Sequence, residues 1–167
     1  MLRRLLAVTL AVVLLSLPGV AVANAAAADL QPQIKYTAPY AVIHAGDPDT
    51  VTVAGVYRCK GPAEAFHLWV SVKQGGPDPT AEGSSSTVDA WYDTNISGDT
   101  KVICDGKWQV AVVDLGAWAQ DFTGRPLGEL ENGKGWLQFC LVQGGESDPE
   151  NVIVASSSRW LKVVTAG

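Results

Sequence analysis

The stretch VTVAGVYRCK, residues 51–60, alternates apolar and polar side chains, carries a glycine near its centre and holds a cysteine at its end. Successive side chains of a β-strand point to opposite faces. The residues that would share the apolar face are Val51, Val53, Gly55, Tyr57 and Cys59. We therefore expect a half-buried strand whose cysteine points toward the core.

Residues 100–104, TKVIC, are a second strand-like stretch that ends on a cysteine. Two strands that end on inward-facing cysteines suggest a disulfide between Cys59 and Cys104. Asp105-Gly106 follows at once and predicts a tight turn. The partner expected across this turn is the strand KWQVAVVDL, residues 107–115, which is rich in β-branched residues.

A third cysteine, Cys140, is left over by this pairing. It lies within the apolar stretch WLQFCLVQ, residues 136–143, which favours a buried and unreactive free thiol. A covalent link between two molecules through Cys140 is the alternative.

Residues 1–25 have the pattern of a cleaved signal peptide. Arg3 and Arg4 form the charged head, residues 5–17 are uncharged and apolar, and Ala23-Asn24-Ala25 is a small-residue cleavage site. A membrane anchor is the competing interpretation, but the apolar run is short for a span. We expect a secreted, extracellular, bacterial protein with no membrane span after cleavage, in a compartment where disulfides form.

Charge and length limit the partners and the number of domains expected for the exported chain. Loss of two arginines takes Lys and Arg from 12 to 10 against 17 Asp and Glu, a net charge of about −7. Phosphate binding needs a basic face, so nucleic acid is not an expected partner. The remaining chain suits one domain. We expect an N-terminal arm with a first short strand at residues 26–49, then a β-domain at residues 50–167 with a long loop insertion near residues 75–99.

Short alternating stretches separated by Gly, Pro and Ser recur through the chain, and none keeps a helical period over three turns. The clearest are FHLWVSVK at 66–73, WLQFCLVQ at 136–143 and RWLKVV at 159–164. Residues 151–155 predict a further strand, separated from the last by three serines. This pattern predicts an all-β sandwich or barrel of about seven strands.

The order of these stretches resembles a group of secreted immunoglobulin-like β-sandwich domains of actinobacteria that has no assigned activity. The resemblance spans residues 51–164, and the motifs that carry it are Tyr57-x-Cys59, Cys104-Asp105-Gly106, WQVAVV and GKGWLQFCLV. It implies an antiparallel immunoglobulin-like sandwich and the bridge between Cys59 and Cys104, and it supplies no catalytic residue. The chain departs from the family in its insertion, its third cysteine and its many tryptophans, where we expect a specific function to lie.

Catalytic groups are scarce in this sequence. It has two histidines, His44 and His67, no serine in a G-x-S-x-G setting, and no Cys or His pair at zinc-ligand spacing. Asp47 and Asp49 lack the further spaced oxygen ligands of a calcium loop. We therefore predict no metal, no cofactor and no catalytic residue. A small exported enzyme stays as an alternative, because a catalytic triad is defined by geometry and not by chain order.

The six tryptophans are the feature of the sequence that most directly suggests a binding function. Strict alternation would point Trp69, Trp136 and Trp160 outward, from three strands that are neighbours in an immunoglobulin-like sheet. Polar residues expected on the same face include His67 and Gln138. Flat rings beside hydrogen-bonding groups suit a sugar-binding platform, because the rings cover apolar C–H faces and the polar groups orient hydroxyls.

Two alternatives remain for these tryptophans. In one, the strand register is opposite and the rings fill the core. In the other, the N-terminal arm, the insertion or a second subunit covers them. The sequence thus predicts a secreted, non-catalytic binding or interaction domain, whose partner is an unknown protein or a carbohydrate. A self-associating cell-envelope protein, with Cys140 and the aromatic face in a homodimer, is a further alternative.

Overall fold

The protein is predominantly β-structure in residues 31–144 and 150–166, the part of the chain that the computed structural model describes. The eight strands in these residues are β1 (Gln33–Thr37), β2 (Tyr40–His44), β3 (Asp47–Arg58), β4 (Phe66–Gln74), β5 (Ala90–Asp93), β6 (Gln109–Ala117), β7 (Gly133–Gln143) and β8 (Val152–Ala166). The helical pieces described are α1 (Thr94–Ser97) and the 3₁₀ turns Ala63–Ala65 and Ser84–Ser86. The predicted signal peptide, residues 1–25, lies outside the described residues.

The strands form one sheet that closes on itself. Its order is β3-β2-β8-β7-β4-β5-β6, and β6 pairs with β3 again, which makes a barrel of seven strands. The eighth strand, β1, adds to β3 beside β2. The all-β class is therefore confirmed. The expected sandwich of two separate sheets is not confirmed, because β5 bonds to both β4 and β6 and β2 bonds to both β3 and β8.

β1 and β2 share one edge of β3. β1 pairs antiparallel with the end of β3, whereas β2 pairs with its beginning and runs parallel to β8. The two strands are separated at Ala38-Pro39, where Pro39 has no N–H to give to a ladder. The short strand expected within residues 26–49 corresponds to β2. β3 begins at Asp47.

The core lies inside the barrel and follows the alternation of the strands. The side chains that β4, β7 and β8 bury there are Leu68, Val70, Val72, Leu137, Phe139, Leu141, Leu161 and Val163. Trp69, Trp136 and Trp160 occupy the alternate positions and lie on the outer surface of the sheet. The alternative in which these three rings fill the core is therefore wrong.

The disulfide between Cys59 and Cys104 is confirmed. It closes a loop of 45 residues, which in the chain-entropy account stabilises the fold by about 4 kcal/mol. The hairpin expected around Asp105-Gly106 is wrong, because residues 100–104 form no strand. β6 instead pairs with β3 along eight residue pairs. This ladder is longer than the one that the five residues 100–104 could form with β6. The 100–104 segment lies across the end of the barrel, where the Thr100 carbonyl accepts from the Leu68 N–H at 2.8 Å.

Two further differences concern strand boundaries. Residues 151–155 and 159–164 belong to one strand, β8, because the serines between them continue the ladder with β7. The insertion near residues 75–99 is not only loop: it contains β5 and α1. β5 is the strand that completes the barrel between β4 and β6.

Candidate functional site

Three of the predicted binding residues, Trp136, Trp160 and Gln138, lie together on the outer surface of β7 and β8. Trp136 is directly opposite Trp160, and Gln138 is opposite Ser158. The two indole rings meet edge to face, with 5.2 Å between their centroids. Nζ of Lys134 lies 3.9 Å from the ring centroid of Trp160, a cation–π contact.

The other two, Trp69 and His67, lie farther along the same surface on β4. Trp69 pairs with Cys140 and not with Trp136, so it is about 13 Å along the sheet from the Trp136 position. Nδ1 of His67 is 2.9 Å from the carbonyl oxygen of Gly144. The structure thus brings together three of the five predicted residues and leaves Trp69 and His67 apart from them.

The contact between Trp136 and Trp160 continues across the sheet. Lys73 of β4 is opposite Trp136, and Trp91 of β5 is opposite Lys73. Trp118, directly after β6, stacks on Trp91 with 4.8 Å between the ring centroids and 12° between the planes. We call Trp160, Trp136, Lys73, Trp91 and Trp118 the tryptophan row. At a strand spacing of about 4.8 Å, these five residues span roughly 19 Å.

The tryptophan row is open at its ends and buried in its middle. At one end the Trp160 side chain is 39% exposed. At the other end Phe122 is exposed and packs edge-on against both Trp91 and Trp118. Between the ends, Lys73 and Trp91 are buried. A ligand that approaches from solvent can therefore reach the row at Trp160 or at the end formed by Trp118 and Phe122.

A row of polar side chains runs beside the tryptophan row. Ser158, Gln138, Ser71 and Asp93 are opposite one another on β8, β7, β4 and β5, and we call them the polar row. Ser71 and Asp93 are completely buried. Asp93 Oδ1 accepts a hydrogen bond from the Asn95 N–H, so one oxygen of this carboxylate caps α1.

Six buried polar atoms of the two rows have no hydrogen-bond partner among the described residues. They are Nε1 of Trp91, Trp118 and Trp136, with Oγ of Ser71, Oδ2 of Asp93 and Oε1 of Gln138. A buried polar group without a partner costs about 1–3 kcal/mol. Such a concentration in one place calls for a partner from outside the chain, either water or a ligand.

Burial also changes the charge preferences of Lys73 and Asp93. Desolvation lowers the pKa of Lys73, which the negative charge of Asp93 partly offsets. Desolvation raises the pKa of Asp93. The facing indole of Trp118, although outside hydrogen-bonding geometry, the N–H groups of Asn95 and Ile96 and the charge of Lys73 lower it. With both groups ionised, their opposite charges cancel.

Part of the cover is the loop at residues 75–89, which lies over Lys73 in the middle of the tryptophan row. Ser84 and Ser85 are its buried contacts, and Ser84 Oγ accepts a hydrogen bond of 3.1 Å from Lys73 Nζ. The insertion, one of the three covers expected for the tryptophans, therefore covers part of the tryptophan row. It shields Lys73 and leaves the Trp160 end of the row open.

Sequence reasoning missed Lys73, Trp91, Asp93 and Trp118. The alternation of residues 66–73 does place Lys73 on the face of Trp69, but Lys73 was not among the predicted binding residues. Trp91 and Asp93 lie in a stretch interpreted mainly as loop, and Trp118 follows a strand end. Their position in the row depends on which strands become neighbours, which no local pattern shows.

A separate cleft of about 1350 Å³ opens at one end of the barrel. Its lining contains no Lys, Arg or His among the described residues, and the carboxylates there are Asp47, Asp49, Asp89, Asp114, Glu129 and Glu131. We call it the acidic cleft. Trp118 lies at the border between this cleft and the tryptophan row.

A His-Thr-Asp chain is the arrangement closest to a catalytic triad. Nε2 of His44 lies 2.6 Å from Thr52 Oγ1, and Thr52 donates to Asp114 Oδ1 at 2.5 Å. In a triad the carboxylate orients the histidine, and the histidine takes the proton of the nucleophile. Here Thr52 donates its hydroxyl proton to Asp114, so His44 donates to Thr52 and does not accept that proton. This geometry does not activate Thr52.

Within residues 31–144 and 150–166, no group of three His, Cys, Asp or Glu side chains is arranged to hold a metal ion. No helix in those ranges is long and apolar enough to cross a membrane.

Comparison with known proteins adds no relative. No protein-family model matches the chain, and no curated protein matches it significantly. The resemblance to secreted actinobacterial domains therefore stays a prediction.

Proposed function

We propose that this protein is a secreted, non-catalytic binding domain whose ligand is a carbohydrate held at the Trp160 end of the tryptophan row. The observation that carries the proposal is the pair of neighbouring indoles, Trp136 and Trp160, with Gln138 and Ser158 beside them. Trp160 is accessible, and Lys134 reaches over its ring. Together they offer flat apolar surface and hydrogen-bonding groups at one place.

The chemistry of sugars fits this surface. A pyranose ring has an apolar C–H face, which an indole ring can cover, and a rim of hydroxyls, which polar side chains can orient. Two rings that meet at 67° form a corner and not a flat plane. We therefore expect one sugar unit against Trp160 and contact of the next unit with Trp136.

We further propose that the barrel is a closed variant of the immunoglobulin-like arrangement. The order β1-β3-β6 matches the A-B-E part of one immunoglobulin sheet, and β4-β7-β8 matches the C-F-G sheet. β2 and β5 join the two halves. The disulfide departs from that pattern, because it joins the end of β3 to the segment before β6 and leaves Cys140 of β7 free.

Export from a bacterial cell, with actinobacteria as the source group, completes the proposal. The pattern of residues 1–25 supports it, and so does the disulfide, because structural disulfides persist in oxidising compartments. Carbohydrate outside the cell, in the wall or in the surroundings, is the corresponding partner.

Self-association is a second candidate, favoured by an apolar surface on the other side of the barrel. Val110 and Val112 of β6 are 73% and 66% exposed, and they pair with Val56 and Ala54 of β3. Exposed apolar surface of this kind often marks an interface. Sedimentation of the parent and of a Val110→Lys variant distinguishes the two: a dimer that the variant abolishes would support self-association.

The proposal is tested by retention of the purified protein on insoluble cellulose, chitin and bacterial cell-wall material. We expect at least one polymer to retain the parent, and Trp160→Ala to weaken retention about tenfold, equivalent to about 1.4 kcal/mol. Trp108→Ala is the matched control, because Trp108 is also 39% exposed but lies before β6 against Lys35 and Arg58. Equal retention of both variants, or no retention of the parent, would refute the proposal.

A further inference from the structure

We infer that the covered middle of the tryptophan row is an inner subsite for the hydroxyl groups of a further sugar unit, opened when the 75–89 loop lifts. The inference rests on the proposed function and extends it from the open Trp160 end to Trp136, Lys73 and Trp91. Three observations support it. Buried polar atoms without partners are concentrated there, these atoms include both hydrogen-bond donors and acceptors, and the loop is attached to the sheet at few points.

The unpartnered atoms are concentrated in this place. Ser71 and Asp93 are completely buried, and each leaves an oxygen without a partner among the described residues. Gln138 Oε1 and the indole N–H groups of Trp91 and Trp136 flank them on the neighbouring strands. One site thus presents unused donors and unused acceptors side by side.

This mixture selects the class of ligand. An anion would satisfy the indole N–H groups and Lys73 but would repel the Asp93 carboxylate. A cation would satisfy Asp93 and Gln138 Oε1 but would leave the indole donors unpaired. A hydroxyl group donates and accepts, so a neutral polyhydroxylated unit satisfies both kinds of atom. The opposite charges of Lys73 and Asp93 also favour a neutral ligand.

The loop is attached at its base and along residues 84–88, whereas its tip at residues 77–83 is mostly exposed. At the base, Asp89 N–H donates to the Gln74 carbonyl at 3.0 Å, and Asp89 Oδ2 accepts from the Gly76 N–H at 2.9 Å. Over the rows, Ser84 Oγ accepts a hydrogen bond from Lys73 Nζ, and the Val88 carbonyl accepts one from Arg125. Ser84, Ser85 and Val88 are buried, whereas most side chains of residues 75–83 are exposed. Opening the inner subsite therefore requires residues 84–88 to leave the sheet together with the exposed tip.

Two successive glycines allow the close packing at the base of the loop. Gly75 and Gly76 both have left-handed backbone conformations, with φ of 72° and 74°. A Cβ at Gly76 would lie 2.3 Å from the carbonyl oxygen of Thr87, so this close approach requires glycine. Glycine also offers the loop a wide range of other conformations. Lifting the loop together with residues 84–88 would join the two open ends into one row of roughly 19 Å, long enough for a linear oligosaccharide.

The first test follows the indole N–H resonances of the ¹⁵N-labelled purified protein during titration with cellohexaose and with chitohexaose, assigned through single Trp→Phe variants. We expect the resonances of Trp160, Trp136 and Trp91 to shift with one common dissociation constant. A shift of Trp160 alone would overturn the inner subsite and leave the proposed function standing; buried water would then be the partner of the inner atoms. No shift of any resonance with either probe would overturn both.

The second test changes the attachment of the loop. Ser84→Ala removes the acceptor of the Lys73 hydrogen bond and also the hydrogen bond that the Ser84 hydroxyl donates to the Pro79 carbonyl inside the loop. Loss of the attachment to Lys73 makes opening easier, so we expect two- to tenfold tighter binding of the same hexasaccharide. Ser86→Ala is the matched control, because its hydroxyl bonds to the Gly83 carbonyl inside the loop, and binding should not change. Weaker or unchanged binding by Ser84→Ala would contradict an opening loop.

Discussion

Gly55 of β3 faces the ring of Phe139 of β7 across the interior of the barrel, so closely that a Cβ at Gly55 would lie 2.6 Å from two ring atoms. The two strands belong to opposite walls of the closed sheet. The ring occupies the space that the missing side chain leaves. The barrel is therefore flattened, and its walls pack face to face as two sheets do. This explains why a sandwich-like sequence pattern accompanies a closed sheet.

Gly55→Ala should destabilise the protein by about 1–3 kcal/mol, because the added methyl group overpacks against a completely buried ring. Urea unfolding followed by tryptophan fluorescence measures the change. Gly46→Ala is the matched control, since a Cβ there meets nothing within 4 Å. An unchanged midpoint for Gly55→Ala would contradict the close contact with Phe139.

Removal of the disulfide by Cys59→Ala with Cys104→Ala should lower the free energy of unfolding by about 2–5 kcal/mol, because the unfolded chain regains the freedom of the closed loop. Thermal unfolding of the double variant, compared with the parent with and without a reductant, measures this. The reduced parent should resemble the double variant. If reduction leaves the parent's melting temperature unchanged, the bridge contributes no stability.

The thiol of Cys140 should be unreactive in the folded protein. Its side chain is 3% exposed, and desolvation raises its pKa from 9.0 to about 11, which reduces the thiolate fraction near pH 8 roughly 100-fold. A disulfide reagent should label no cysteine in native buffer and one in denaturant without reductant. A dimer on a non-reducing gel that disappears on reduction would support the alternative of an intermolecular link.

Asp121 should stabilise the fold at neutral pH but not in strong acid. Hydrogen bonds from Thr123 and Arg125 lower the pKa of its carboxyl from 3.8 to about 2. Because the folded pKa lies below the unfolded one, this stability is present above about pH 4 and is lost as the pH falls toward 2. Melting temperatures of parent and Asp121→Asn, measured from pH 7 to pH 2, should converge at the acid end. A constant difference would contradict this assignment.

The candidate site was only partly accessible to sequence reasoning. The alternation of β7 and β8 was sufficient to place Trp136, Gln138 and Trp160 on one outer surface. Trp69 has the same orientation, but its distance along the sheet depends on the register of β4 against β7, in which it pairs with Cys140. Register belongs to the pairing of strands and not to a single strand.

By itself, the sequence determined the features that depend on neighbours along the chain: the alternation of residues 51–59, the all-β class, and inward cysteines that could form a bridge. The tertiary structure alone decided the closure of the sheet, the place of β5 beside Lys73, and the loop over the middle of the tryptophan row. The physical reason is the separation along the chain of the residues that set each feature. Alternation follows from the geometry of one strand, whereas Trp91, Lys73 and Trp136 meet only because distant segments share hydrogen bonds.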